Sequence, residues 1–345
     1  MYESDSRHSF PQDFMRKCHR NCVPLAALIS FTWRCNEHCR HCLTFKNTAG
    51  ELTAEQWRVV LYRLYEAGTH LLTWTGGDPF ARMNDFLDVL AAAASYGVFR
   101  HRVFTNAMSV TSAVAKQLKA LGVEVAEVSV YGQPENHDFI TQVSGSYDRT
   151  MRGIAALHDA GILVRLKSPP LAVTVTDLEF LLALPGQLGL TEPFRLGPGV
   201  YETHTGGQHP LQLAVSLPEL ARALVATSQL PKTGRFPWPP WASPCNRGRS
   251  VIHVDPHGRV FTCEEDLTPT GSLLEQPLSA IMATAVFQAA QDVSFLKLPC
   301  WRCALWRYCP EVCSARFQRE HNGTLAPSAA TCRLAREVKS VTEGR

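Results

Sequence analysis

The sequence predicts an α/β fold: a parallel sheet built from about six β-α units, followed by a small Cys-rich domain with a β-hairpin and helices. Three observations predict it. Apolar, strand-like runs alternate with amphipathic helical stretches from residue 25 to about residue 200, in units of roughly 30 residues. Runs end at residues that favour turns or caps. The 12 cysteines fall in clusters, with three in residues 35–42 and seven beyond residue 244. Alternation of this kind gives parallel strands joined by crossovers. Six units fall short of the eight that close a full barrel.

The elements follow in order. VPLAALISFTW (23–33) reads as the first strand and ends at the first Cys cluster. Thr53 caps a helix with Trp57, Val60, Leu61 and Leu64 on one face, and Gly68 stops it. HLLTWT (70–75) is a strand ending at Gly76-Gly77. Asn84 caps the next helix, which ends before Gly97. FRHRVF (99–104) is a strand ending at Thr105-Asn106. A helix over 111–121 ends at Gly122, and VEVAEVSVY (123–131) is the strand after it. Ser146 opens a helix that ends near Ala160-Gly161; ILVRLK (162–167) is a strand, 176–188 a helix, and EPFRLG (192–197) a strand. Residues 216–229 look helical, and PKTGRFPWPPWASP reads as a linker. SVIHVDPHGRVFTC forms a hairpin around Asp255-Pro256-His257-Gly258, which brings Cys245 and Cys263 near each other. These readings divide the chain into an N-terminal extension (1–24), a core (25–215), a helix with a Pro-rich linker (216–244) and a Cys-rich domain (245–345).

Bulk properties narrow the function. The 345 residues suffice for one large domain and a smaller one. The net charge of +3 comes without any basic run or stripe, which excludes nucleic acid as the expected partner. No apolar run reaches the length of a membrane span, and MYESDSRHSF lacks the apolar segment of a secretory signal. Cysteine-rich chains without such a signal favour metal over disulfides, so the expected compartment is the cytoplasm.

Cys35, Cys39 and Cys42 read C-x3-C-x2-C. Three thiolates at this spacing can hold three corners of a [4Fe–4S] cube. With no fourth Cys at matching spacing, one iron keeps an open position, and open positions mark metals that do chemistry. Such an iron can bind S-adenosylmethionine (SAM) through its amino and carboxylate groups. Further on, Gly258 precedes Cys263 as G-x4-C, and Cys300, Cys303, Cys309 and Cys313 read C-x2-C-x5-C-x3-C, with Cys245 and Cys332 on either side. The rival reading is zinc on the C-x2-C and C-x3-C pairs, which would make a structural or binding module.

With both Cys patterns in this order, the chain resembles the radical SAM enzymes that carry a C-terminal SPASM domain, over residues 25–335. The segment SVYGQPENHDFITQVSGSYDRTMRGIAALHDAGI looks like their peptide-maturase branch. The resemblance implies an open, partial (β/α)6 radical SAM barrel with a SPASM domain after it. It implies three [4Fe–4S] clusters: one on Cys35, Cys39 and Cys42 that binds SAM, a first auxiliary cluster on Cys245, Cys263 and Cys313, and a second on Cys300, Cys303, Cys309 and Cys332. No Cys lies between Cys42 and Cys245, so the first auxiliary cluster has an open or non-Cys fourth position.

The remaining site expectations rest on the same resemblance. Gly76, Gly77 and Asp78 match the family's GGE-P segment, which receives the SAM amino group, with Asp78 in place of the usual Glu. Thr105, Asn106 and Ser129 end strands where relatives contact SAM, and Arg165 or Lys167 pairs with its carboxylate. His41 stands where an aromatic residue often precedes the third Cys. Glu264 matches an acid that serves sulfatase-maturing relatives as base. Tyr131, His137, Asp138 and His204 are further residues expected to face substrate. Cys18 and Cys22 read as free thiols on an N-terminal arm. The expected activity is hydrogen abstraction by a 5′-deoxyadenosyl radical from a ribosomally made precursor peptide, giving a crosslink or an oxidised residue. The alternative is an oxidoreductase acting on a small molecule such as a tetrapyrrole precursor. About 25 residues precede the first strand, against about 80 for the family's leader-binding domain. Leader recognition is therefore expected from a separate protein or another surface, and electrons from a flavodoxin- or ferredoxin-type donor.

Overall fold

The computed structural model describes residues 12–44, 47–197, 199–230, 232 and 241–344. Most of the expected Pro-rich linker, and the first 11 residues of the N-terminal extension, lie outside them. The strands are β1 (Ala26–Thr32), β2 (Leu71–Gly76), β3 (Arg100–Thr105), β4 (Val123–Ser129), β5 (Leu163–Ser168), β6 (Arg195–Leu196), β7 (Val251–Val254), β8 (Arg259–Phe261) and β9 (Gly271–Ser272). The helices are α1 (Gln12–Arg20), α2 (Ala54–Glu66), α3 (Met83–Ser95), α4 (Ser112–Ala120), α5 (Pro134–Thr141), α6 (Ser146–Asp159), α7 (Ala172–Thr176), α8 (Leu178–Gln187), α9 (Leu217–Ala226), α10 (Leu278–Met282), α11 (Ala285–Gln291), α12 (Ser314–Glu320) and α13 (Ala329–Glu343).

The strands form one sheet in the order β6-β5-β4-β3-β2-β1-β7-β8-β9. The pairs from β6 to β7 are parallel, and β7-β8-β9 are antiparallel. The six β-α units are therefore present, and the sheet stays open. The hairpin forms at its expected place. It also docks parallel to β1, with Ala26 opposite Val251 and Ile29 opposite Val254. The sheet thus runs without a break from the core into the Cys-rich segment.

Local chemistry explains most boundaries. Thr53 and Gln56 make a reciprocal capping box at α2. The buried Trp57, Val60, Leu61 and Leu64 of α2 lie against the sheet. There Phe31, Trp57, Trp74 and Phe86 stack with centroids 5.3–6.5 Å apart. Each such aromatic pair contributes about 0.5–1.5 kcal/mol beyond its burial.

Four expectations need correction. The first strand begins at Ala26, because Pro24 and Leu25 belong to the approach to it. Asn84 does not cap α3: a 3-10 turn over Pro79–Arg82 leads into that helix, and Asp78 caps the turn by accepting from Phe80 N–H. The single helix expected over 176–188 is two, α7 and α8, that meet at Asp177. Asp177 instead receives hydrogen bonds from Gln133 and Asn136. The run that carries the strand before α6 also stops at Ser129, and a separate helix, α5, follows it.

Candidate metal centres and reaction cleft

The first Cys loop leaves the C-terminal end of β1, the end at which open parallel sheets carry their sites. Contacts on three sides seat it. Gly77 N–H donates to Thr32 C=O at 2.7 Å, and Asp78 N–H to Arg34 C=O at 2.9 Å. A Cβ on Gly76 would lie 2.1 Å from the Thr32 oxygen, and one on Gly77 2.2 Å from that of Arg34. The two glycines let the strand end lie directly against the start of the loop. Glu51, its side chain buried and its role unnoticed in the sequence, accepts from Trp33 N–H at 2.7 Å and Thr32 Oγ1 at 2.8 Å. On the far side, His38 and Arg40 N–H donate to carbonyls of α5 at 3.0 and 2.9 Å. Arg40 also stacks on Phe139.

Within the loop, Cys39 Sγ lies 3.1 Å from Glu37 Oε2 and 3.8 Å from Tyr131 Oη. Burial pushes the Cys35 thiol up to about 12, with Asp78 adding to it. Burial also pushes the Glu37 carboxyl up to about 7. Buried thiols that raise one another are protonated without metal and become ligands by losing that proton. The His41 ring packs edge-on against Tyr131 at 4.8 Å, and burial pushes it down to about 4. That is the packing role expected of the position.

Asp78 is fully enclosed, and its carboxylate is committed. Beyond Phe80 N–H it accepts from Thr105 Oγ1 at 2.7 Å and Asn106 N–H at 2.8 Å, so it ties the end of β2 to the end of β3. Asn106 reaches from there to Asn36 Oδ1 at 2.6 Å, inside the Cys loop. Gly76, Gly77, Asp78, Thr105 and Asn106 thus meet beside Cys35, as the sequence groups them. His137 is buried, and Asp138 accepts from Gly145 N–H, Ser146 Oγ and Tyr147 N–H at the start of α6. The His137 ring lies against Tyr131, while Asp138 anchors the start of α6.

One face of the sheet carries charge. Lys167 Nζ lies 3.1 Å from Glu127 Oε2 and sits over the Phe104 ring, and Arg102 Nη1 is 3.5 Å from Glu127 Oε1. Arg165 is buried and bound to Glu192 at 3.1 Å. The intervening residues Val103, Val128 and Leu166 face the packed core. Glu264 comes from the Cys-rich segment and enters the field of Lys167 and Glu127, so it joins this face. The residue is exposed to solvent. Burial and the neighbouring Glu265 raise its carboxyl, against the pull of Lys167 and Arg316.

The later cysteines separate into the two expected sets. Cys263 feels Cys245 and Cys313, while Cys300 feels Cys309, Cys303 and Cys332. Among the described residues, no group of three or more His, Cys, Asp or Glu can hold a single metal ion. Thiolates in sets of three and four are the donors that a [4Fe–4S] cube takes. Around the first set the carboxylates are taken. Asp266 holds Arg247 at 2.7 Å, Glu265 holds Arg316 and Arg319 at 3.1 and 3.2 Å, and Glu311 holds Arg316 and Tyr201. Glu264 is the acid here that faces the cleft. The Tyr201–Glu311–Arg316 cluster went unread in the sequence, although Arg316 stands one helical turn beyond Cys313. Cys18 is buried, and α1 lies near the Cys245 segment through His19 and Asn246.

Comparison with known proteins agrees with this arrangement. The profile of the radical SAM superfamily matches residues 29–179, and that of the SPASM iron–sulfur cluster-binding domain matches residues 245–304. The chain is 26% identical to an AdoMet-dependent heme synthase of Methanosarcina barkeri over 87% of its own length and 88% of the relative's. It is 29% identical to a PqqA peptide cyclase of Rhizobium meliloti over 46% of this chain and 43% of that one. Two of the first three curated relatives are matched over only 39% and 37% of their own lengths. In structure it is similar to Streptococcus suis SuiB bound to the precursor peptide SuiA, with a TM-score of 0.71 at 15% identity, covering 96% of this chain and 84% of that one.

Proposed function

Because this chain is a radical SAM protein with a C-terminal SPASM domain, we propose that it oxidises a ribosomally made precursor peptide, forming a crosslink or a dehydrogenated residue. In this reading Cys35, Cys39 and Cys42 hold the SAM-binding cluster. Cys245, Cys263 and Cys313 hold the first auxiliary cluster, and Cys300, Cys303, Cys309 and Cys332 the second. When bound, SAM and the cluster on Cys35, Cys39 and Cys42 would supply a 5′-deoxyadenosyl radical that takes one hydrogen atom from the substrate.

The chain's own residues do the rest. Gly76 and Gly77 offer backbone groups to the SAM amino group. Asp78, its carboxylate already used, acts by fixing Thr105 and Asn106 rather than by direct contact. Ser129 and Lys167, at the ends of β4 and β5, face the SAM carboxylate; Arg165 supports them through Glu192. Glu264 would accept the proton that the oxidised carbon releases, and a cluster held by Cys245, Cys263 and Cys313 would supply the electron acceptor. The substrate loses two hydrogens in all: one as an atom, one as a proton and an electron.

One observation supports a peptide most: one face of the sheet presents the charges of Arg102, Glu127 and Lys167, with Glu264 in their field. A peptide can meet such a face with its own amides and side chains. The relative that is a peptide cyclase agrees. A second reading, oxidation of a tetrapyrrole precursor, has its own support in the heme synthase aligned over 88% of that relative's length. The Cys usage suits the cytoplasm, and an acidic flavodoxin- or ferredoxin-type protein serves as donor.

The test is the intact mass of a short peptide encoded beside this gene, co-expressed anaerobically with the enzyme or its Cys39→Ala form. Loss of two hydrogens with the wild type alone is the expected result. An unchanged peptide with SAM cleavage intact would overturn the peptide reading in favour of the tetrapyrrole one.

A further inference from the structure

Arg316 is a tightly held, buried cation in the Cys-rich segment. It is 7% exposed, and its guanidinium carbon lies 3.5 Å from the centre of the Tyr201 ring. Its Nη1 bonds Glu311, and its Nη2 bonds Glu265 at 3.1 Å. These contacts use the outer nitrogens. The third nitrogen, Nε, is buried and has no hydrogen-bond partner. Leaving such a donor unmet costs about 1–3 kcal/mol, more for a charged group. A side chain fixed on three other sides cannot turn to relieve it.

The position of that donor supplies its acceptor. Arg316 follows Cys313 by one helical turn at the start of α12, and the two groups lie within each other's field. Every carboxylate nearby is already held by an arginine or, for Glu264, turned to the cleft. What is left beside Cys313 is the sulfur of its own metal centre.

We infer that the Arg316 Nε–H donates to a sulfur of the [4Fe–4S] cluster on Cys245, Cys263 and Cys313, and so raises that cluster's reduction potential; this rests on the cluster assignment proposed above. Reduction adds negative charge to the cluster. A donated N–H and a nearby cation favour the reduced form. Glu265 and Glu311 offset the charge of Arg316 at Cys313, so the effect is carried by the directed N–H. Arg316 is thus a positioning residue: it makes the cluster next to Glu264 the better electron acceptor without touching substrate.

The experiment is a redox titration of the anaerobic holoenzyme followed by EPR, for wild type, Arg316→Gln and Arg316→Lys. One cluster potential is expected to move negative in Arg316→Gln, and less so in Arg316→Lys, while the other two stay in place. Pulsed EPR of wild type supplied with arginine carrying 15N only at Nε is expected to show a nitrogen coupling on that cluster, lost in Arg316→Gln. Unmoved potentials in an Arg316→Gln protein that retains its full iron would overturn the inference, as would a wild-type cluster without 15N coupling. Should Arg316→Gln lose the cluster, the wild-type coupling alone decides. A wild-type protein with no auxiliary cluster by iron and sulfide analysis would sink the functional reading instead.

Discussion

At the scale of the residue, the cysteines were legible and the carboxylates were not. Ligand thiols sit at spacings set by the metal centre, so Cys35, Cys39 and Cys42 declare themselves within a single loop. Asp78 does not, because its partners Thr105 and Asn106 arrive from another strand. Cys39→Ala should abolish release of 5′-deoxyadenosine from SAM, measured chromatographically on reduced enzyme. Glu264→Gln should leave that release intact while peptide oxidation, read by mass, falls by about 100-fold, the low end of what a general base contributes. Asp78→Ala would strand three donors: Phe80 N–H, Asn106 N–H and the Thr105 hydroxyl. About 3 kcal/mol of stability should be lost, read from denaturant unfolding of the metal-free chain.

At the scale of the element, caps and turns carried most of the information. Thr53, Thr111 and Ser216 each cap the helix that the sequence assigns to them or to the residue beside them. What stayed hidden is structure that depends on distant partners. The Asp177 break between α7 and α8 answers to Gln133 and Asn136, and α5 is a docking platform for the Cys loop rather than a strongly periodic helix. Gly77 belongs to both groups. A strand-end glycine was expected to let the backbone approach a ligand, but the group it lies against is the Arg34 carbonyl. Gly77→Ala should therefore cost about 3 kcal/mol or more, with loop displacement as the mechanism. The metal-free protein would show it as a lower unfolding midpoint, before any cofactor is considered.

At the scale of the whole molecule, acid should weaken the fold through its buried imidazoles. Burial pushes His101 and His137 down to about 4, and both are almost wholly enclosed. In the unfolded chain each titrates near 6.5. Between those values the unfolded chain binds more protons, so stability falls as pH drops from about 6.5 to about 4. Each histidine accounts for up to about 3 kcal/mol of that loss. Asp78, raised by burial, offsets part of it. Unfolding midpoints of the metal-free chain at pH 7 and pH 5 would check the sign. Among the described residues no helix is long and apolar enough to cross a membrane. Three cubes predict about twelve irons per chain, and zinc without sulfide would contradict them.

The pairing of β1 with β7 sets an order of events during synthesis. Ala26 is made early and its partner Val251 comes 225 residues later (251 − 26). Until then one flank of β1 has no strand to bond, although its other flank can already pair with β2. An unpaired, apolar strand flank is a template for association with other chains. A chain released before residue 251 would thus lack more than its auxiliary cysteines. It would carry an open seam at the centre of the native sheet, next to the loop that must receive the first cluster. Premature termination anywhere in the core should give aggregated, iron-poor protein rather than a smaller working enzyme.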